Sequence, residues 1–227
     1  MNFNSPAENI WYIMGETPSF VQKELDNLYE LALKKNLPRV NRTLAGYLDM
    51  EYGIEHSDDV NNFILQTFAD HLTQIKEITK SNSLNWHPAL KVINQWVNIQ
   101  KKNESNPIHV HSGDLSYVFW HKIPYTLEAE KKLVQNADVY PADFTFVYAD
   151  KNNEFVDMNT SGMLNTRYLV FEQLNIYNDK ENTFAIFPAW LAHSVGQFKS
   201  SEEFRVTFSG NFSKIIKESP KTEKSIL

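Results

Sequence analysis

The stretch NPIHVHSGDLSYVFWH, residues 106–121, decides how this chain is read. Its second half, LSYVFW (115–120), is short, aromatic and β-branched, the texture of a strand. Its first half sets His109 and His111 two residues apart. In extended backbone, side chains two apart share a face, so the two imidazoles make a ready chelate. Outward from this stretch the same texture repeats. KVINQWVNIQ (91–100) alternates Ile93, Val97 and Ile99 against Trp96, Asn98 and Gln100, and reads as a half-buried strand. Downstream come DFTFVYA (143–149), RYLVFEQL (167–174), TFAIFP (183–188) and FRVTFSGNF (204–212). Turn-rich breaks such as DMNTSG (157–162) and YNDKEN (177–182) separate them. Short strands without intervening helical pattern predict a mostly β fold, an antiparallel sandwich or jelly roll.

Before residue 90 the period changes. SFVQKELDNLYELALKK puts Val21, Leu25, Leu28, Tyr29 and Ala32 on one helical stripe, with Ser19 and Gln22 placed as a capping box. A second stripe runs through Val60, Ile64, Phe68, Leu72 (or His71) and Ile75, and Ser57, Asp58 and Asp59 suit its N-terminal end. RTLAGYLDMEYGIEHS between them reads as loop or short helix. The expected organisation is one structural domain: a helical N-terminal extension (1–90) buttressing a β core (91–215), then a polar tail (216–227). No internal repeat is visible.

Composition narrows the chemistry. The 227 residues include no cysteine, so disulfides, thiolate-bound zinc, iron–sulfur clusters and thiol nucleophiles are excluded. Any metal must be held by nitrogen and oxygen. The 22 Lys+Arg against 28 Asp+Glu give a net charge of −6, which speaks against phosphate-backbone binding. MNFNSPAENIWYIMGE lacks the basic and apolar regions of a secretory signal, and no window is apolar enough to span a bilayer. A cytoplasmic location is expected, the host cytoplasm if the chain is viral.

Four of the seven histidines concern the site question directly: His109, His111, His121 and His193. His193 follows a strand-like run and is the natural third ligand for a facial set that leaves positions open for substrate. Further on, Arg205 and Thr207 share a face of the run RVTF. A guanidinium pairs bidentately with a carboxylate and a hydroxyl can donate to the same group; a surface pairing of Arg205 with Glu202 or Glu203 is the plainer alternative. His56, His71, His87 and His121 fit no ligand position, and solvent-facing or capping roles are expected for them.

Taken in order, these parts resemble the iron(II)- and 2-oxoglutarate-dependent oxygenases, whose core is a double-stranded β-helix, a form of jelly roll. The closer resemblance is to a group of uncharacterised members common in bacteria and tailed phages. It is carried by Trp96, Asn98 and Gln100; by Asn106, Pro107, His109, His111, Ser112 and Gly113; by Ser116, Val118 and Trp120; by Ile123, Pro124 and Tyr125; and by FPAWLAHSV with RVTFSGNF. It covers about residues 95 to 212. It implies iron(II), 2-oxoglutarate and dioxygen as cofactors, His193 as distal ligand, Arg205 and Thr207 gripping the far carboxylate of 2-oxoglutarate, and Ser116 touching the co-substrate. Trp96, Asn98, Gln100 and Trp120 would line the substrate pocket.

Most of that superfamily has an acid two residues after its first histidine, and here neither His109 nor His111 supplies one. Three ligand sets stay open: His109, His111 and His193, which is preferred; His111, Asp114 and His193; or His111 and His193 with water or halide. Two other functions compete with the oxygenase: a non-catalytic jelly-roll binding or structural module with a structural metal, and a three-histidine dioxygenase that needs no 2-oxoglutarate. The expected partner is a small-molecule or peptide substrate, with no nucleic acid and no membrane. A homodimer is left open.

Overall fold

In the computed structural model, which describes residues 1–40, 48–80, 90–134, 141–149 and 169–214, alternation of side chains along the strands organises everything else. The strands are β1 (Asn2–Ala7), β2 (Ile10–Glu16), β3 (Glu51–Gly53), β4 (Leu90–Gln100), β5 (Asn106–His109), β6 (Leu115–Lys122), β7 (Phe144–Ala149), β8 (Leu169–Gln173), β9 (Thr183–Pro188), β10 (Ala192–Val195) and β11 (Arg205–Lys214). The helices are α1 (Ser19–Leu33), α2 (Asp58–Asp70), α3 (Leu72–Thr79) and α4 (Leu127–Lys131). A seven-stranded sheet has the order β1-β2-β9-β6-β11-β4-β3, and a four-stranded sheet the order β5-β10-β7-β8. Neighbours are antiparallel throughout. This is the expected jelly roll. Among the described residues no helix is long and apolar enough to cross a membrane.

Both faces of the large sheet are covered, and residue parity decides which face a side chain joins. Val97 and Ile99 of β4, Tyr117 and Phe119 of β6, and Val206 and Phe208 of β11 pack with Val21, Leu25, Val60, Ile64 and Ile75 from the helices. The opposite parity, Val118, Trp120, Ala185 and Phe187, packs with Phe144, Phe146 and Tyr148 of the small sheet. Burying each such side chain stabilises the fold by about 1.5–3 kcal/mol. The helical stripes therefore bury as the sequence predicts.

Several local expectations are corrected. The first ninety residues are not simply helical, because β1, β2 and β3 all join the large sheet. Residues 51–53, expected as loop or short helix, form β3. Ser19 does not cap α1; Pro18 holds that position, and Gln22 Nε2 instead donates to the Thr17 carbonyl at 2.6 Å. Ser57 does cap α2, accepting from Val60 N, and the second stripe is split at His71, whose Nδ1 donates to the Thr67 carbonyl. Ile93, expected to point inward, is 46% exposed. The β11–β4 register jumps from Asn211↔Asn94 to Phe212↔Val92 and leaves Ile93 as the extra bulged residue. The tail, His87 and the 157–162 break lie outside the described residues.

His56 and His121 are buried rather than solvent-facing. His56 Nδ1 meets Glu24 at 2.8 Å. His121 packs against Phe208 with Asp26 Oδ1 3.3 Å from Nε2, yet neither ring nitrogen completes a hydrogen bond. Burial is the larger influence and pushes its pKa down to about 4, despite Asp26. Its ordinary pKa is near 6.5, so the unfolded chain takes up this proton first. Stability is therefore full above about pH 6.5 and falls as pH drops toward 4. Urea titrations from pH 4 to 7 are expected to show His121→Phe with a shallower loss than the parent. Gly210 tests the packing on the same face: a Cβ there would stand 2.6 Å from Tyr117 Oη and 2.9 Å from the Asn94 carbonyl. Gly210→Ala is expected to lower unfolding stability by about 1–3 kcal/mol, read from the urea midpoint.

Candidate active site

Strand β5 ends at His109 directly opposite His193 of β10. His111 lies just past β5, where its amide donates to the Ala189 carbonyl at 2.9 Å. The chain can turn sharply here because Gly113 has φ +102°, and a Cβ at that position would meet Ile93 Cδ1 and the Phe212 carbonyl at 2.7 Å. His109, His111 and His193 thus come together, each offering one ring nitrogen within 4.8 Å of the others. His111 Nε2 and His193 Nε2 are 3.1 Å apart.

The tautomers follow from the backbone. His109 Nδ1 donates to the Pro107 carbonyl at 2.7 Å and His193 Nδ1 to the Leu191 carbonyl at 2.9 Å. In neutral rings this leaves Nε2 of each as a lone pair. The His111–His193 contact then needs one hydrogen, on His111 Nε2, where a divalent ion would replace it. All three rings are held neutral. Burial lowers His109; burial and then the neighbouring His109 bring His111 to about 4; burial, His109 and His111 take His193 well below the ordinary range. Neutral imidazole is the metal-binding form, so these residues fit an iron site. Phe144 stacks on the His193 ring at 5.2 Å and Trp96 lies 5.3 Å from His111.

Asp114 is not placed with them. Its carboxylate accepts from Ser213 Oγ at 3.2 Å and from Lys214 N at 2.8 Å, which ties the turn to β11. The structure therefore gives Asp114 a strand-anchoring contact.

The three histidines open into a cavity of about 230 Å³ that is also lined by Trp96, Asn98, Gln100, Trp120, Arg205 and Thr207. Strand register explains the grouping: Arg205 faces Gln100, and Thr207 lies between Asn98 and Trp120. Ser116 does not line it; its hydroxyl donates to Asn211 Oδ1 at 2.6 Å, and Asn211 is the cavity residue. Tyr148 Oη donates to Glu172, and Tyr148 does not line the cavity.

Arg205 is 2% exposed and forms no ion pair among the described residues, so the surface pairing with Glu202 or Glu203 is corrected; Glu202 pairs with Lys102. All five guanidinium hydrogens go to uncharged acceptors. Nε and Nη2 donate to Gln100 Oε1 at 3.1 and 2.6 Å, Nη2 also to the Gly196 carbonyl at 2.8 Å, and Nη1 to Tyr125 Oη at 2.5 Å and the Ala142 carbonyl at 2.7 Å. Nearby Asp143 has its oxygens taken by the amides of Phe144, Asn175 and Ile176. Among the described residues the guanidinium thus lines the cavity with no anion in direct contact, Asp143 acting on it at longer range. A guanidinium is the side chain suited to a carboxylate, and a dicarboxylate would have to displace one of these acceptors to meet it.

The alternate residues Ser209 and Asn211 extend the polar row of β11 into the cavity, and Asn94, Asn106 and Glu51 also line it. Sequence reasoning missed these. The period-two pattern Arg-x-Thr-x-Ser-x-Asn along 205–211 was a readable signal for the first two. Nothing local signalled Glu51.

The family described as "Putative 2OG-Fe(II) oxygenase" matches residues 94–211, just over half of the chain, and spans every residue of the histidine cluster and the Arg205 wall. The chain belongs to this oxygenase family. The oxygenase is accordingly an oxidoreductase with iron(II) and 2-oxoglutarate as cofactors. Its fold is shared by a Pseudomonas putida prolyl-4-hydroxylase at TM-score 0.52 and 10% identity, over 89% of this chain and 92% of that one. Also similar are a viral collagen prolyl hydroxylase from Paramecium Bursaria Chlorella virus-1, at TM-score 0.46 and 12% identity over 89% and 96%, and HygX from Streptomyces hygroscopicus with nickel and 2-oxoglutarate bound, at 0.46 and 11% over 92% and 84%. No curated protein matches the oxygenase.

The Arg205 network predicts a ligand-independent effect. Arg205→Lys removes the fork and strands buried partners on Gln100, Tyr125 and Ala142. Unfolding in urea without any ligand is expected to show a loss of about 2–4 kcal/mol.

Proposed function

We propose that this oxygenase hydroxylates a small-molecule or peptide substrate, converting substrate, 2-oxoglutarate and dioxygen into hydroxylated product, succinate and carbon dioxide. The observation that carries the reading is the sharing of one cavity by three neutral imidazoles and a buried arginine without a counter-ion. In this reading His109, His111 and His193 hold the metal. Arg205, with the Thr207 hydroxyl beside it, holds the far carboxylate of the co-substrate. Bound iron(II) supplies the dioxygen chemistry. The protein's own part is positional. The Nδ1 contacts of His109 and His193 fix ring orientation and keep Nε2 unprotonated. Phe144, Phe187 and Trp96 surround the histidines with apolar surface that excludes water. Gln100 and Tyr125 orient the guanidinium, and Tyr125 is in turn stacked on Phe198 at 4.9 Å.

The three-histidine set is supported over one that uses Asp114, because the Asp114 carboxylate already serves Lys214 N and Ser213. Ser116 acts on the cavity through Asn211.

Anaerobic titration with iron(II) and 2-oxoglutarate is expected to produce a weak visible charge-transfer band, and admitting dioxygen to produce succinate. His193→Ala is expected to abolish both along with iron retention. Asp114→Asn is expected to keep its iron and cost about 1–2 kcal/mol of stability. Absence of the band together with absence of dioxygen-dependent succinate would sink the proposal, and loss of iron in Asp114→Asn would overturn the ligand set.

A further inference from the structure

At the end of the cavity formed by β3 and β4, Glu51 stands beside Asn98 in register. Glu51 is 1% exposed, and its Oε1 has no hydrogen-bond partner. Asn98 is 8% exposed, and its Oδ1 is equally unpartnered. Across the cavity, Asn106 Oδ1 of β5 is a third buried oxygen without a partner. A buried acceptor left unmade costs roughly 1–3 kcal/mol, and a buried carboxyl more. Three of them lining one cavity is therefore a cost that a ligand rich in donors would relieve.

Their common chemistry selects the ligand. All three are acceptors, one belongs to an ionisable acid, and no cation forms an ion pair with Glu51 among the described residues. Lys101, the nearest strand-end lysine in sequence, is committed to Asp49 at 2.5 Å. Glu51 is also separate from the metal candidates, since among the described residues the ligand cluster comprises the three histidines. Arg205, opposite Gln100 and two residues along the same sheet face from Asn98, is suited to an anion, so neighbouring parts of one cavity wall carry opposite preferences.

We propose that Glu51 and Asn98, with Asn106 opposite, form the recognition site for a primary ammonium group on the substrate. An ammonium offers three N–H donors to three waiting oxygens and one positive charge to one carboxylate. This deepens the oxygenase reading by giving its substrate a chemical class. Burial, and secondarily the charge of Glu104, raise the Glu51 pKa to about 7, so below that pH the side chain is mostly a neutral acid and a bound cation would draw it into the ionised form. Glu51 is a binding residue in this account and is assigned no chemical step.

The probe is n-butylamine, compared with n-butanol and butyrate of the same chain length, on the full chain at pH 7.5. Thermal unfolding is followed with and without EDTA. The ammonium at saturating concentration is expected to raise Tm by roughly 2–4 °C, and the alcohol and the acid not to. Glu51→Gln, nearly isosteric, is expected to lose that shift while retaining iron. The carboxyl carbon of Glu51, followed by NMR in labelled protein at about pH 6, below its raised pKa, is expected to move to its ionised position when n-butylamine is added; this readout decides the matter if the Gln variant does not fold. Equal shifts with n-butanol, an undiminished shift in Glu51→Gln, or no response of the wild type to n-butylamine would each overturn the proposal. Because ammonium binding is read without metal, its failure is distinct from failure of the iron chemistry, which succinate formation reports.

Discussion

A central sheet buried on both faces is the constraint from which the rest follows. In a sheet with one wet face, every second position tolerates almost any polar residue. Here neither parity meets solvent over the middle of β6, β9 and β11, so one set must satisfy the helical core and the other must build the cavity. Phe208 and Val206 serve the first and Arg205, Thr207 and Ser209 the second, from a single strand. Slipping β11 by one residue would drive a guanidinium into the helix-packed core and a phenylalanine into the site. Register is accordingly held at both ends. Asp114 ties its turn to Lys214 and Ser213, while Glu130 of α4 accepts from the amides of Lys199 and Ser200 just before β11 begins.

The same constraint shapes the electrostatics. A buried charge without a partner is costly, and Arg205 is stabilised by hydrogen bonds to two backbone carbonyls, an amide oxygen used twice and a phenol, with the Tyr125 and Phe198 rings and the charge of Asp143 adding attraction without a direct ion pair. Had Asp143 paired with it directly, the site would be neutral and indifferent to anions. Three backbone amides occupy that carboxylate instead. The arrangement leaves the guanidinium without a direct ion pair among the described residues, with Asp143 acting on it only at longer range. The histidines differ in kind, since burial strips their protons and leaves lone pairs.

Much of this was legible in the sequence because it is carried by period. The alternating runs gave the strands of the core, the stripes through Val21–Ala32 and Val60–Ile75 gave the buried helix faces, and His109-x-His111 gave a shared face without knowledge of the fold. Residues whose roles depend on distant partners were not legible. Arg205 looked equally suited to a surface pair, and only its burial beside Gln100 and Tyr125 removes that option. Ser116 and Asp114 have the right chemistry for a site, yet Asn211 and the Lys214 amide claim them first. β3 is only three residues long, too short for a periodic signal, and so Glu51 was hidden in a segment read as loop. Ile93 misled because a bulge, set by the partner strand, reverses the rule that alternation supplies.

Among the described residues the histidine cluster includes no carboxylate, and this bears on how metal and co-substrate act on one another. In a set with one acid, a divalent ion loses half of its charge to the protein. Among three neutral imidazoles it keeps all of it, so on the three-histidine reading the wall of the cavity carries the metal's two charges and the guanidinium's one. A dicarboxylate entering between them is favoured by both, and each cation is in turn held by the dicarboxylate. Metal and co-substrate affinities are then linked, and the linkage must act equally in both directions. Water screens such coupling strongly, and the aromatic surface of Phe144, Phe187, Trp96 and Trp120 reduces that screening along part of the cavity wall. The apolar part of the lining is therefore part of the electrostatics, because it helps set how strongly His111, just past β5, and Arg205 of β11 would sense the same anion.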